Sequence, residues 1–95
     1  MSTIKTINLP TRFDYSSHTE FYEHCLAVTQ DANIQEVILD FSLVEYMDSS
    51  ALGMLVIMHK KAQSSGKKLK ISRARGTVKE VLMLANIERI IDINP

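Results

Sequence analysis

The chain alternates between two kinds of apolar patterning, and that alternation constrains its fold more than any other feature. Ile4-Lys5-Thr6-Ile7-Asn8-Leu9 has partial period-two spacing and is closed by Pro10, which suits a strand. Phe21, Cys25 and Val28 then recur at helical spacing and predict a helix to about Gln30. Ahead of them Ser17-His18-Thr19-Glu20 has the spacing of a capping box, in which the serine oxygen accepts from the backbone and the glutamate reaches back. Glu36-Val37-Ile38-Leu39-Asp40-Phe41 is a short, continuous apolar run, as expected of a strand buried on both faces. Asp48-Ser49-Ser50 sets three helix-capping residue types in a row. Ala51 to Gln63 follows, apolar almost all round until Lys60 and Lys61, and Ser64-Ser65-Gly66 stops it. Leu69-Lys70-Ile71 reads as a strand, and Ile90-Ile91-Asp92-Ile93 as the last one. Between them Thr77-Val78-Lys79-Glu80 is a second capping box, opening a helix with Val78, Val81, Leu82 and Ala85 on one face. The order β-α-β-α-β-α-β predicts an α/β domain. It is a mainly parallel mixed sheet of about four strands, flanked by about three helices and joined by right-handed crossovers.

Ninety-five residues leave room for one such domain, spanning 1–95. Apolar residues at 45% and charged residues at 23% exclude a disordered chain. Eleven basic and eleven acidic residues cancel, which argues against nucleic acid or an anionic membrane as a partner. Lys60, Lys61, Lys67, Lys68, Lys70, Arg73 and Arg75 do cluster in a stretch without an acid, but no aromatic residue interleaves with them, as expected of a solvated face. No apolar run approaches the roughly 20 residues that span a bilayer, so no membrane insertion is expected. The lone Cys25 has no partner within the chain for a disulfide, which fits a reducing, cytoplasmic setting. It also falls on the apolar stripe of the first helix, where a buried structural thiol is expected. His18, His24 and His59 are too scattered for a metal site. With no G-x-S-x-G elbow, phosphate-binding glycine loop or H-E-x-x-H pair, the chain offers no catalytic residues, and no cofactor is expected.

The informative stretch is Tyr46-Met47-Asp48-Ser49-Ser50-Ala51-Leu52-Gly53-Met54-Leu55. It sets two hydroxyls at the predicted start of an apolar helix, where free backbone N–H groups and the positive end of the dipole favour an anion. Two readings follow from the residues. The serines and aspartate simply cap the helix, or a serine there accepts a phosphate that the helix start tolerates. Met47 and Met58 are expected in the core, and Met54 on the more exposed side of the helix.

Asp48-Ser49-Ser50-Ala51-Leu52-Gly53 resembles the D-S-S-G-L-G signature of STAS domains, the bacterial anti-sigma-factor antagonists. Asn8-Leu9-Pro10-Thr11-Arg12-Phe13-Asp14 is similar to the family's strand ending in G-x-[LF]-D. Val37 to Ser42 and Lys67 to Ile71 are similar to its later strands, and Thr77 to Leu82 to its last helix. The sequence departs at Ala51, where the family has glycine after the second serine, and at Arg12, where it has glycine before Phe13; it also lacks the first edge strand of many members. The resemblance implies a partner switch. Ser50 would be the phosphoacceptor, with Ser49 as its alternative. Asp14, Asp48, Ser49, Ala51, Leu52, Gly53 and Met54 would meet the partner. That partner is a serine kinase, often an anti-sigma factor as well, and a PP2C-type phosphatase reverses the reaction. ATP and metal ions belong to those partners. The regulated process stays open among sigma-factor release, biofilm formation and motility, and the domain is expected to be a monomer or weak dimer. The alternative is a constitutive STAS subunit of a larger complex, such as an ABC-type lipid transporter, in which the serines are caps only.

Overall fold

The computed structural model describes residues 3–94. Six strands and three α-helices follow one another among them: β1 (Ile4–Asn8), β2 (Arg12–Phe13), α1 (His18–Gln30), β3 (Glu36–Asp40), β4 (Tyr46–Met47), α2 (Ser49–Ser64), β5 (Lys68–Ser72), α3 (Gly76–Leu84) and β6 (Asp92–Asn94). Short 3-10 turns at Tyr15–Ser17 and Ile87–Arg89 precede α1 and β6. The main sheet has the order β1-β3-β5-β6, and every pair in it is parallel. The expected α/β domain is therefore present, with a wholly parallel sheet in place of a mixed one.

Register explains where the core lies. Ile7, Leu39, Ile71 and Ile93 form one row across the four strands, with Val37 and Leu69 side by side one step earlier. Onto this face pack Phe21, Cys25 and Val28 of α1, Met54, Leu55, Met58 and Ala62 of α2, and Val78 and Leu82 of α3, all in one buried cluster. The opposite row is Thr6, Ile38, Lys70 and Asp92, exposed or half-exposed. Thus β3 alternates and is not buried on both faces, as its continuous apolar run suggested. The reason is topological. Each crossover advances the sheet in the same direction, and right-handed crossovers of that kind stack their helices on one face. The outer face holds itself by polar contacts instead, such as the Lys70–Glu36 ion pair at 3.4 Å.

Both predicted capping boxes are unused. Ser17 already has helical backbone angles (φ −91°, ψ −1°), because the chain enters α1 through the 3-10 turn, and its side chain makes no cap bond. Its hydroxyl donates to the Arg12 carbonyl at 3.2 Å, while Asp14 caps the turn. Thr77 lies one residue inside α3, whose cap position is Arg75. The last strand falls two residues later than expected, at Asp92–Asn94, because Ile87–Arg89 forms a turn after left-handed Asn86. The basic stretch is less solvated than its composition suggests. Lys67 Nζ donates to the carbonyls of Asp31 (2.8 Å) and Ile34 (2.5 Å), and Arg75 donates to the Ser42 carbonyl at 3.4 Å.

Candidate functional site

Two loops leave the carboxyl ends of β1 and β3 and are stitched together by the two-residue strands β2 and β4. Arg12 pairs with Tyr46 and Phe13 with Met47, in parallel. The Thr11 carbonyl accepts from the N–H groups of Glu45 (2.8 Å) and Tyr46 (3.2 Å), which completes the ladder. Phe13 anchors the pair from below. It is fully buried, with its ring 5.2 Å from Phe21 and 6.1 Å from Phe41. Because side chains alternate along extended backbone, Phe13 and Met47 face the core while Arg12 and Tyr46 face away. Asp14 and Asp48 are extended too (φ −139° and −108°), so each follows its strand directly on the side of Arg12 and Tyr46; Asp14 is only 8% exposed and Asp48 half-buried.

Each carboxylate has a local task. Asp48 is the cap of α2: its Oδ1 accepts from the Ala51 N–H at 2.9 Å, filling one of the donors that a helix start leaves unpaired. Asp14 Oδ1 accepts from the Ser16 N–H (3.0 Å) and the Ser16 hydroxyl, and Oδ2 from Arg12 Nε–H at 2.6 Å. The Ser16 hydroxyl bond first, and the Arg12 bond second, hold this carboxyl below the ordinary aspartate value of 3.8. Arg12 is also seated over the Tyr46 ring, 4.4 Å from its centroid.

With Asp48 serving as cap, the two serines occupy the first turn without that duty. Ser49 is exposed and Ser50 half-buried, and among the described residues neither hydroxyl enters a hydrogen bond. Of the residues expected to meet a partner, Ser49 and Gly53 face solvent, and Asp48 and Leu52 are half-buried. Ala51 is 0% exposed and Met54 3%. The exposed placement expected for Met54 is thus corrected. Position 54 is one turn before Met58 and next to Leu55, on the stripe that α2 turns toward the sheet, and an all-apolar helix gave no polar contrast by which to orient it. Met58 is buried and Met47 packs against the core, as expected.

Cys25 is fully buried, and burial pushes its thiol up to about 12, against a smaller opposing pull from Lys61. His18 stacks on Tyr15 with centroids 4.3 Å apart, and His24 lies 3.7 Å from Glu20. What sequence reasoning missed is the β2–β4 stitch and the place of Arg12 in it. The available signal was faint: Arg12-Phe13 and Tyr46-Met47 each pair an outward with an inward side chain, over a span too short to read as a strand.

A sequence model of the STAS domain matches residues 2–95. The chain belongs to the STAS family. A STAS-domain containing protein of Pseudomonas aeruginosa is 29% identical over 92 residues, covering 94% of this chain and 86% of the relative. In structure, the domain resembles a Thermotoga maritima protein named as an anti-sigma factor antagonist, with a TM-score of 0.84 and 24% identity over 98% of this chain and 80% of that one. It also resembles a sulfate transporter family protein from Wolinella succinogenes, with a TM-score of 0.82 and 11% identity over 94% of this chain and 71% of the other. The STAS fold of this chain is therefore shared by an anti-sigma-factor antagonist and by a sulfate transporter family protein. No helix among the described residues is long and apolar enough to cross a membrane.

Proposed function

We propose that this STAS domain is a non-enzymatic, phosphorylation-controlled protein-binding switch of the anti-sigma-factor-antagonist type, acting in the cytoplasm of a bacterium. Ser50 is the phosphoacceptor, a serine kinase that also serves as anti-sigma factor is the partner, and a PP2C-type phosphatase resets the switch. The observation that carries this reading is the helix start of α2: a carboxylate cap that leaves two serine hydroxyls uncommitted, directly after the strand that pairs with β2. An enzyme accepting this surface would meet Ser49 and Gly53, with half-buried Asp48 and Leu52 beside them and Asp14, Ala51 and Met54 supporting from within.

Magnitudes favour a switch in binding over a switch in fold. A phosphate adds about −1.5 to −2 charge at neutral pH. At an exposed helix start it contributes only about 0.3–1 kcal/mol, too little to remodel the domain. Unpaired in a packed interface it costs roughly 2–5 kcal/mol, which lowers affinity about thirty- to several-thousandfold.

Intact-mass and site-mapping mass spectrometry of the protein from its own cells, with and without phosphatase, tests the site. One phosphatase-sensitive phosphate on Ser50 is expected, and phosphate on Ser49 would move the assignment. Ser50→Asp is expected to weaken capture of the kinase at least thirtyfold while holding folding stability within about 1 kcal/mol. Unchanged capture by the folded variant sinks the mechanism. The likeness to a sulfate transporter family protein favours a second reading, a constitutive subunit of a larger transporter complex. Absence of phosphate under every growth condition, together with a stable complex, is the result that selects it.

A further inference from the structure

Arg12 is the only lysine or arginine between Lys5 and Lys60 in the sequence, and the structure pairs it with Tyr46, three residues ahead of α2, and bonds it to Asp14. Asp14 and Asp48 share its side of the β2–β4 stitch, and Glu45 adjoins Tyr46. The cations that end β5 are engaged elsewhere, Arg73 with Asp40 at 3.7 Å and Arg75 with the Ser42 carbonyl. A phosphate added on Ser50 would stand four residues beyond Tyr46, on whose ring the Arg12 guanidinium is seated.

The present engagement of Arg12 is weak enough to exchange. Its side chain is 68% exposed, so its pair with Asp14 is screened by water, and Asp14 keeps both Ser16 donors without it. Only Nε is bound to Asp14, which leaves the outer N–H groups of the fork for another acceptor. A dianionic phosphate takes a guanidinium in paired hydrogen bonds more strongly than a carboxylate held by one. The Tyr46 ring beneath the guanidinium seats it beside β4, the strand that leads into α2.

We propose that Arg12 is a built-in counter-ion for phosphoserine 50, leaving Asp14 for the phosphate when Ser50 is modified. The inference rests on the phosphoswitch reading and adds its regulation. Phosphorylation then alters two groups of the docking surface at once: it adds a charge on α2 and strips Asp14 of its cation. The residue that performs this is the one standing where the family signature has glycine.

The test installs phosphoserine at position 50 by translational incorporation and follows its phosphorus resonance through the second phosphate ionisation, near pH 6. No kinase or partner is needed, so failure here is separable from failure of the switch itself. The wild-type phosphate is expected to ionise about half a pH unit lower than in Arg12→Ala, with Arg12→Lys between them. The Arg12 Nε–H signal is expected to move on phosphorylation of the wild type. Identical titrations in wild type and Arg12→Ala, with both folded by circular dichroism, overturn the proposal. An Arg12 dependence seen only with phosphoserine at position 49 overturns the pairing with Ser50.

Discussion

Helices α2 and α3 both begin at the carboxyl edge of the parallel sheet, yet their first turns are built in opposite ways. At α2 a carboxylate caps the helix, and the helix runs on into the core through Met54, Leu55, Met58 and Ala62. At α3 the cap position is Arg75, no side chain caps, and Gly76 enters with φ 59°. Only Val78 and Leu82 of α3 are buried, whereas Met83 is 44% and Leu84 83% exposed. The difference teaches that α2 is anchored by its core side chains and held by a separate cap. The serine hydroxyls of its first turn therefore have no structural duty to lose.

Paired substitutions on the two helices break or sharpen this contrast. The largest difference is expected in packing. Met54→Ala should destabilise by about 2–5 kcal/mol in denaturant unfolding, and Met83→Ala by no more than about 0.5 kcal/mol. Equal losses would mean that α3 is anchored as firmly as α2. Capping comes next. Asp48→Ala should cost about 1 kcal/mol through the lost bond to the Ala51 N–H, whereas Thr77→Ala, which removes no cap, should stay within a few tenths. A thermal melt in which Thr77→Ala falls further than Asp48→Ala would reverse the assignment of caps.

The smallest effect lies in acid. Asp14 beside α2 is held below the ordinary value mainly by the Ser16 hydroxyl and then by Arg12. Asp40, at the corner that leads by Arg73 to α3, is held below it mainly by the Ser42 N–H at 2.8 Å. A depressed folded-state value contributes stability that is complete above the unfolded value near 4 and fades as pH falls through the folded one. Urea melts of Asp14→Asn and Asp40→Asn should therefore differ most from wild type above pH 4 and converge toward it below. A difference that stays constant down to pH 2 would show that neither carboxylate gains from its partners as described.

Much of the architecture was legible because it depends on local pattern. The alternation of apolar runs and helical spacing carried the element order, Phe21, Cys25 and Val28 marked the buried stripe of α1, and Asp48-Ser49-Ser50 marked the start of α2. The same kind of pattern misled at β3, since Val37-Ile38-Leu39 looks identical whether one face is covered or two. It misled again at Ser17, which holds the cap position of α1 with helical backbone angles and no cap bond, and at Thr77, which lies one residue inside α3. A cap needs extended backbone at one position, and the preceding turn decides which position that is.

The sequence by itself determined an α/β chain with a serine-bearing helix start, because hydrophobic period and capping chemistry act over a few residues. Only the tertiary structure decided that the sheet is open on one face, that Met54 points inward, and that Arg12 and Phe13 pair with Tyr46 and Met47 just ahead of α2. Those facts depend on crossover direction, on which side of an all-apolar helix meets the sheet, and on a two-residue pairing between segments more than thirty positions apart. No local periodicity encodes such contacts, because each is settled by long-range packing.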